Sequence, residues 1–199
     1  MASRSRSMQD FLDSLREAFA AANCEPAVSK TVATLFAALE QPAPEGGPPS
    51  SRLPVCQHVP AALRIARSSS PQLARLAATF ETLEPRLAWA VRSSGGPYAS
   101  ANWLEGHANA TIIGPDRGLE SRNDVAIGVS LLAPNVRYPD HRHAPEEVYL
   151  LLTPGRFQHG ESSWFEPGAS GTLHNEPNIE HAMASQDTPL LAIWCLLMP

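Results

Sequence analysis

The sequence predicts a mainly β protein, an antiparallel sandwich or barrel, with an α-helical segment at its N-terminus. Up to residue 85, apolar residues recur at three- and four-residue steps, as on amphipathic helices. Beyond that point, short apolar runs are bounded by Gly, Pro, Asn and Asp, which is typical of antiparallel strands. We therefore expect a helical segment at residues 1–85 and a β-barrel domain at residues 86–199.

Three stretches of the N-terminal segment carry the helical pattern. Residues 8–23 and 27–41 are both amphipathic and are joined by a Cys-Glu-Pro link, so we expect them to pair as a hairpin. The density of Pro and Gly between residues 42 and 54 favours a loop. A third helix is expected at residues 70–85, where Ser70 can cap the first turn. The apolar faces of these helices should cover one face or the mouth of the barrel.

The β domain contains six short apolar runs that we predict as strands. They cover residues 108–115, 123–134, 146–155, 162–168, 171–176 and 189–198. Turn-forming residues bound each run, and the sequence shows no internal repeat. This pattern favours several short strands over a few long ones.

The composition limits the classes of function. A net charge of -5 with only 15 Lys and Arg argues against nucleic-acid binding, and we expect a small-molecule partner instead. Three widely spaced cysteines fit a reduced protein better than a disulfide framework. The chain carries no secretory signal pattern and no apolar run of about 18 residues. We therefore expect a cytoplasmic protein without a membrane partner.

Histidines concentrate in the β domain, where five of the seven lie between positions 141 and 181. Alternate residues of a strand face the same way, so His141, His143, Glu147 and Tyr149 are expected to face one cavity. Imidazoles together with a carboxylate suit a divalent transition metal better than calcium or magnesium. The cluster therefore predicts a metal site.

A further ligand should come from a neighbouring strand, and His174 and His181 are the candidates. His181 begins a new apolar run after a turn, so we choose it as the ligand. His174 is expected to be a polar residue near the rim, satisfied by the main chain. His58, His107 and His159 are expected to be exposed, and Glu146 should point away from Glu147 into solvent.

Two stretches resemble the cupin motifs. Residues 141–155 contain two histidines one residue apart, a glutamate four positions on and a closing glycine, as in the first motif. Residues 176–185 resemble the second motif, with Asn178 where glycine is usual. The resemblance implies a cupin fold, a double-stranded β-helix or jelly-roll barrel. It also implies one metal bound by His141, His143, Glu147 and His181.

More narrowly, the chain is similar to the cupin dimethylsulfoniopropionate (DMSP) lyases, bacterial enzymes that cleave DMSP to dimethyl sulfide and acrylate. The similarity rests on Tyr138 and Tyr149 around the metal motif, on the "EHAM" that contains His181, and on the N-terminal helices. It implies a carbon–sulfur lyase with Tyr149 as the base. The metal would be zinc or iron(II), with manganese, nickel and cobalt as alternatives. Tyr138 would bind the substrate carboxylate, assist proton transfer or pack in a loop.

Three other functions are weighed against the lyase. A cupin iron dioxygenase uses similar ligands, and oxygen consumption would distinguish it. The non-enzymatic alternative is a metal-stabilised cupin that binds a small molecule without turnover. A DNA-binding regulator is disfavoured because the helices lack a basic face. The substrate would be DMSP or a similar acid with a β leaving group. The apolar faces of the helices can pack on their own barrel or on a second subunit, so a homodimer is a further alternative.

Overall fold

The computed structural model describes residues 3–93, 96–115 and 117–199. Helices dominate the N-terminal part of these residues. They are α1 (Arg6–Ala21), α2 (Pro26–Ala38), α3 (Val59–Ser69) and α4 (Pro71–Leu83), with 3-10 turns at Pro54–His58 and Glu84–Arg86, and the four-residue helix α5 (Trp103–Gly106) follows later. None of the helices that the structure describes is both long enough and apolar enough to cross a bilayer.

Strands occupy the C-terminal part. They are β1 (His107–Ile113), β2 (Val125–Leu132), β3 (Glu146–Leu151), β4 (Arg156–His159), β5 (Thr172–Asn175), β6 (His181–Ala184) and β7 (Leu190–Leu197). Five of them form an antiparallel sheet in the order β1-β2-β7-β3-β5, and β4 pairs with β6 in a second, smaller sheet. The segment before β3 extends the small sheet, since His141 and His181 exchange two main-chain hydrogen bonds of 2.9 and 3.0 Å.

The helix prediction for residues 70–85 is confirmed. Ser70 caps α4, because its side chain accepts a hydrogen bond of 3.2 Å from the main-chain N–H of Leu73. α3 was not predicted. Its buried residues, Val59, Ala62, Leu63 and Ala66, follow the spacing of an amphipathic helix, and the sequence analysis missed this pattern.

The predicted α1–α2 hairpin is wrong, because α1 packs chiefly on α4. The rings of Phe11 and Phe80 lie 6.4 Å apart, and Oγ of Ser14 lies 2.6 Å from Oγ1 of Thr79. α2 instead contacts β3, β5 and β7 of the large sheet. An apolar stripe requires burial but does not specify which partner buries it.

Two strand assignments also need correction. Residues 162–168 contain no strand, and only Phe165 bridges to Phe157. Residues 156–159, for which the sequence analysis predicts no strand, form β4 and pair with β6. A four-residue strand with one large apolar side chain gives almost no alternation signal.

The large sheet is buried on both faces. Val148 and Leu150 of β3 join the core under the helices. Tyr149 and Leu151 point the other way, into a second apolar cluster between the two sheets. Burial on both faces explains why β2 and β7 are nearly continuous apolar runs rather than alternating ones. The expectation that the helices cover one face of the barrel is confirmed, and the other face is left for the site.

Candidate metal centre and active-site cavity

A cavity of about 230 Å³ opens between the two sheets. Ligand-type side chains line one part of it, with His141, His143, Glu147 and Tyr149 as the sequence predicts. Its other lining residues are the polar Arg92, Asn109, Ser130 and Tyr138 and the apolar Met183, Trp194 and Leu196. The volume lies below the roughly 300–1,000 Å³ of sites for drug-sized ligands. The cavity therefore suits a small substrate.

Three of the four predicted metal ligands converge on one point. One potential ligand atom from each of His143, Glu147 and His181 lies within 4.8 Å of the other two. Nε2 of His143 lies 3.2 Å from Oε2 of Glu147, and Nε2 of His181 lies 3.4 Å from the same oxygen. These separations are close to those between ligand atoms around a cation with bonds of about 2.0–2.2 Å.

His141 lies beside this group. Its ring centroid is 4.1 Å from that of His181 and 6.2 Å from that of His143. The antiparallel bridge between His141 and His181 holds the two rings together. The structure therefore brings three of the predicted ligands together and places the fourth next to them, in the same cavity.

The three imidazoles share one orientation, with Nδ1 facing a main-chain carbonyl two residues away. The distances are 2.9 Å from His141 to Pro139, 3.0 Å from His143 to Pro145 and 3.0 Å from His181 to Ile179. An Nδ1–H that donates to a carbonyl leaves the lone pair on Nε2, which is the arrangement of metal-binding histidines.

A cation fits this donor set. Nε2 of His181 is buried and has no hydrogen-bond partner among the described residues. With each Nδ1 donating, the lone pairs of His143, His181 and Glu147 converge without a hydrogen atom between them. A buried polar atom without a partner costs about 1–3 kcal/mol, and a bound divalent metal would remove this cost.

The charge states of His141 and Glu147 also match those that a metal requires. Burial, with a contribution from neighbouring His181, lowers the pKa of His141 to about 3, so this ring is neutral at pH 7. Burial favours the protonated form of Glu147, but the adjacent imidazoles outweigh it and lower the pKa of this carboxyl to about 2. His143 behaves differently: burial lowers its pKa, but its contact with Glu147 raises it overall.

Tyr149 lies two residues beyond Glu147, on the same face of β3. Its side chain is almost fully buried. Burial, followed by the negative charge of Glu147, raises the pKa of Tyr149 well above its usual value, while the positive charge of Arg92 opposes this shift. The hydroxyl therefore ionises only where sufficient positive charge is close.

Tyr138, whose direction the sequence left open, points into the cavity and is buried. Its hydroxyl accepts a hydrogen bond of 3.3 Å from Nδ2 of Asn109. Ser130 in turn donates to Oδ1 of Asn109 at 2.6 Å. Asn109 and Ser130 face each other across β1 and β2. Sequence analysis missed both. A polar residue at an inward-facing position of an otherwise apolar strand would have indicated them.

The remaining histidines differ from expectation. His107 is fully buried, with Nδ1 2.6 Å from the carbonyl of Trp103 and its ring stacked on that indole at 4.5 Å. His159 is half-buried, and its Nε2 lies 2.7 Å from Oδ1 of Asn175. His58 is also half-buried. The predicted exposure of these residues is wrong. For His159 the reason is that its partner, Asn175, lies 16 residues further along the chain.

Glu146 points away from Glu147, as expected, and its side chain is 32% exposed. Its Oε1 lies 2.7 Å from Nε2 of His174 and accepts a hydrogen bond of 2.6 Å from the hydroxyl of Thr31 on α2. His174 is therefore paired with a side chain rather than with the main chain. Together these residues connect α2 to the face of the large sheet that the helices cover.

The chain is similar to known proteins over most of its length. A curated relative from Cereibacter sphaeroides, named as a proposed dimethylsulfoniopropionate lyase, DddL, is 28% identical over 146 residues. This match covers 73% of the chain and 59% of the relative, so the chain spans less than two thirds of that protein's length.

Two solved structures share the fold over nearly the whole chain. One comes from the crystal structures of the DMSP lyases RdDddP and RnDddQII, with 20% identity, a TM-score of 0.74 and coverage of 96% of this chain and 92% of that one. The other is the DMSP lyase DddQ from Ruegeria pomeroyi, with 22% identity, a TM-score of 0.72 and coverage of 98% and 92%. The predicted cupin barrel with N-terminal helices is confirmed.

The family itself follows from the sequence profile described as dimethylsulfoniopropionate lyase. This profile matches residues 27–192, which run from α2 into the last strand and include all six predicted site residues. The chain therefore belongs to the dimethylsulfoniopropionate lyase family.

Proposed function

We propose that this protein is a metal-dependent carbon–sulfur lyase that eliminates dimethyl sulfide from DMSP to give acrylate. The observation that carries the proposal is a His/His/Glu group at a small cavity that two buried tyrosines also line. Membership of the DMSP lyase family supports the same reaction. Fold similarity alone would not, because one fold hosts many activities.

The elimination defines what the site must do. DMSP carries a carboxylate at one end and a dimethylsulfonium at the other, two carbons apart. A base removes a proton from the carbon next to the carboxylate, and that electron pair forms the new double bond. The bond from the β carbon to sulfur breaks, and its electrons neutralise the sulfonium. The products are dimethyl sulfide, acrylate and a proton on the base.

We propose His141, His143, Glu147 and His181 as the residues that would hold the metal. Zinc or iron(II) fits this donor set first, and manganese, nickel and cobalt are alternatives. When bound, such a cation supplies Lewis-acid stabilisation of the negative charge that develops on the substrate carboxylate.

Tyr149 is the proposed base. It lies on the strand face of Glu147, where positive charge in the cavity would favour its phenolate form against the effect of burial. Tyr138 is the second proposed catalytic residue. Its hydroxyl accepts from Asn109, so its own proton is free to point at the substrate carboxylate or to move during the reaction. The two rings line the same cavity.

The apolar part of the cavity suits the other end of the substrate. Trp194 and Met183 line it, and an indole face attracts organic cations. We propose that the dimethylsulfonium group lies against this wall. Its departure as neutral dimethyl sulfide would then be into an apolar environment.

Headspace measurement of dimethyl sulfide from purified protein given DMSP tests the proposal directly. Metal content should be measured on the same sample. We expect dimethyl sulfide and acrylate in equal amounts, and their loss in a His143→Ala/His181→Ala double variant. Metal-loaded protein that releases no dimethyl sulfide would contradict the proposal. Oxygen consumption under these conditions would indicate a dioxygenase, and binding without product would indicate a non-catalytic cupin.

A further inference from the structure

The cavity contains one positively charged side chain, Arg92, to which no binding partner has yet been assigned. Among the described residues, Arg92 is the only Lys or Arg that lines the cavity. Within residues 3–93, 96–115 and 117–199, its guanidinium makes no hydrogen bond or ion pair. The one lining carboxylate, Glu147, already faces His143 and accepts a hydrogen bond of 2.7 Å from Asn175. Arg92 is thus a half-buried cation beside a polar cavity.

The main chain of Arg92 is held firmly. Two residues earlier, Ala90 exchanges a pair of 2.9 Å hydrogen bonds with Asn109 of β1, at the edge of the large sheet. The N–H of Arg92 then donates a hydrogen bond of 3.0 Å to Nε2 of His107. Because Nδ1 of His107 donates to Trp103, both ring nitrogens are used. This buried imidazole positions the backbone from which the arginine side chain reaches the cavity.

We propose that Arg92 binds the carboxylate of the substrate and that His107 is the residue that positions Arg92. The inference relies on the proposed function only for the identity of that substrate. A guanidinium presents paired N–H donors that match the two oxygens of a carboxylate, and such charge-assisted contacts are strong.

The apolar part of the cavity lining supports a particular class of ligand. Met183, Trp194 and Leu196 add apolar surface to the same cavity of about 230 Å³ that Arg92 lines. A short monocarboxylate with an apolar or methylated cationic end fills both environments. Repulsion between Arg92 and a sulfonium would disfavour the reversed orientation. The arginine therefore selects both the acid and its direction.

Direct binding tests this inference without relying on turnover. The probe is 4-methylpentanoate, which keeps the shape and carboxylate of DMSP but replaces the sulfonium by a neutral carbon. Titration calorimetry on the full-length protein, both metal-loaded and chelator-treated, would give its Kd. The parent should bind this acid at least about tenfold more tightly than neutral 4-methylpentanamide.

Substitution of Arg92 identifies the residue responsible. Arg92→Gln should weaken binding of the acid at least about tenfold, and Arg92→Lys should have an intermediate effect because it keeps the charge but not the paired donors. Arg75→Gln on α4 removes the same charge far from the cavity and should bind as the parent does. A parent that binds acid and amide equally, or an Arg92→Gln variant with parental affinity, would overturn the inference.

The role of His107 is tested by coupling. His107→Phe keeps a buried ring but removes both hydrogen bonds. If His107 acts through Arg92, adding Arg92→Gln to His107→Phe should weaken binding of the acid little further. Fully additive losses would show that His107 does not position the arginine. A His107→Phe variant with parental affinity for the acid would show the same.

Turnover separates this inference from the proposed lyase activity. If the parent releases dimethyl sulfide, Arg92→Gln should raise KM at least about tenfold, with a smaller fall in kcat. Dimethyl sulfide release with parental KM in this variant would refute the role of Arg92 and leave the lyase function standing. If the parent releases no dimethyl sulfide but its Kd for the acid depends on Arg92, the role of Arg92 stands and the proposed lyase function is refuted.

Discussion

Asn175 donates a hydrogen bond of 2.7 Å from Nδ2 to Oε2 of Glu147, the carboxylate that also faces His143 and His181. Its Oδ1 lies 2.7 Å from Nε2 of His159. Because Nδ2 must donate to a carboxylate, Oδ1 is the acceptor and His159 is the donor. Fully buried Asn175 therefore holds Glu147, and half-buried His159 fixes the orientation of the amide.

Replacing Asn175 by Ala should weaken metal binding while leaving all proposed ligands in place. Loss of such an outer contact lowers metal affinity by about 10–100-fold in other metal sites. Competition with a coloured chelator measures the change. Asn102→Ala, on an exposed asparagine that bonds only the carbonyl of Asn135, is the control. Equal metal affinity in both variants would mean that Asn175 does not orient Glu147.

The ligand assignment predicts linked losses of metal and activity. Ala at His141, His143, Glu147 or His181 should remove both, because each substitution deletes a donor from one small site. Elemental analysis of purified variants measures metal content. His174→Ala is the matched control, since His174 lies on the opposite face of the sheet and pairs with Glu146. Full metal occupancy after replacement of two of the four residues would refute the assignment.

Tyr149→Phe removes only a hydroxyl from the proposed base. The protein should remain folded and metal-loaded, because the ring still packs 5.8 Å from that of Phe157. Turnover should nevertheless fall at least about 10²-fold, the scale for loss of a positioned acid–base group. Dimethyl sulfide release at the parental rate would exclude Tyr149 as the base. A large loss in Tyr138→Phe would then identify Tyr138 as the better candidate.

Burial of His141 predicts a pH dependence of stability in chelator-treated protein. Its folded pKa of about 3 lies below the usual value of 6.5, so the unfolded chain binds more protons between these pH values. The free energy of unfolding should therefore fall as the pH drops, by about 2 kcal/mol between pH 7 and 5 from this residue. Urea unfolding measures it. His141→Gln should show a correspondingly smaller decrease, and an unchanged slope would contradict the prediction.

We propose the division at residues 85 and 86 as the boundary between helical and barrel parts, and deletion of residues 1–85 should cause aggregation. Phe11, Leu35 and Phe80 belong to the same core as Ile127 and Val148 of the sheet. Each large apolar side chain left uncovered forfeits about 1.5–3 kcal/mol. Light scattering and sedimentation of the truncated protein measure the effect. A monodisperse, fully active barrel would show that the helices are dispensable.

Local patterns were enough to predict which side chains line one cavity. His141, His143, Glu147 and Tyr149 are all odd-numbered and all line it, although bends at residues 144 and 145 interrupt the extended chain between His143 and Glu147. The turn before His181 is equally local, since Asn178 adopts the positive φ of 63° that glycine usually supplies in this motif. The cap of α4 by Ser70 is also a local interaction, because Ser70 and Leu73 are three residues apart. The cytoplasmic location and the homodimer stay predictions.

Contacts between distant segments required the tertiary structure. The partner of Glu147 is Asn175, that of Glu146 is Thr31, and the imidazole beneath Arg92 is His107. The first two pairs are separated by 28 and 115 residues. Sequence periodicity specifies which face of an element is apolar, but not which other element will meet it. The amino-acid sequence thus indicated the proposed ligands, whereas only the folded chain decided which residues orient them, because those residues come from segments that are distant in the sequence.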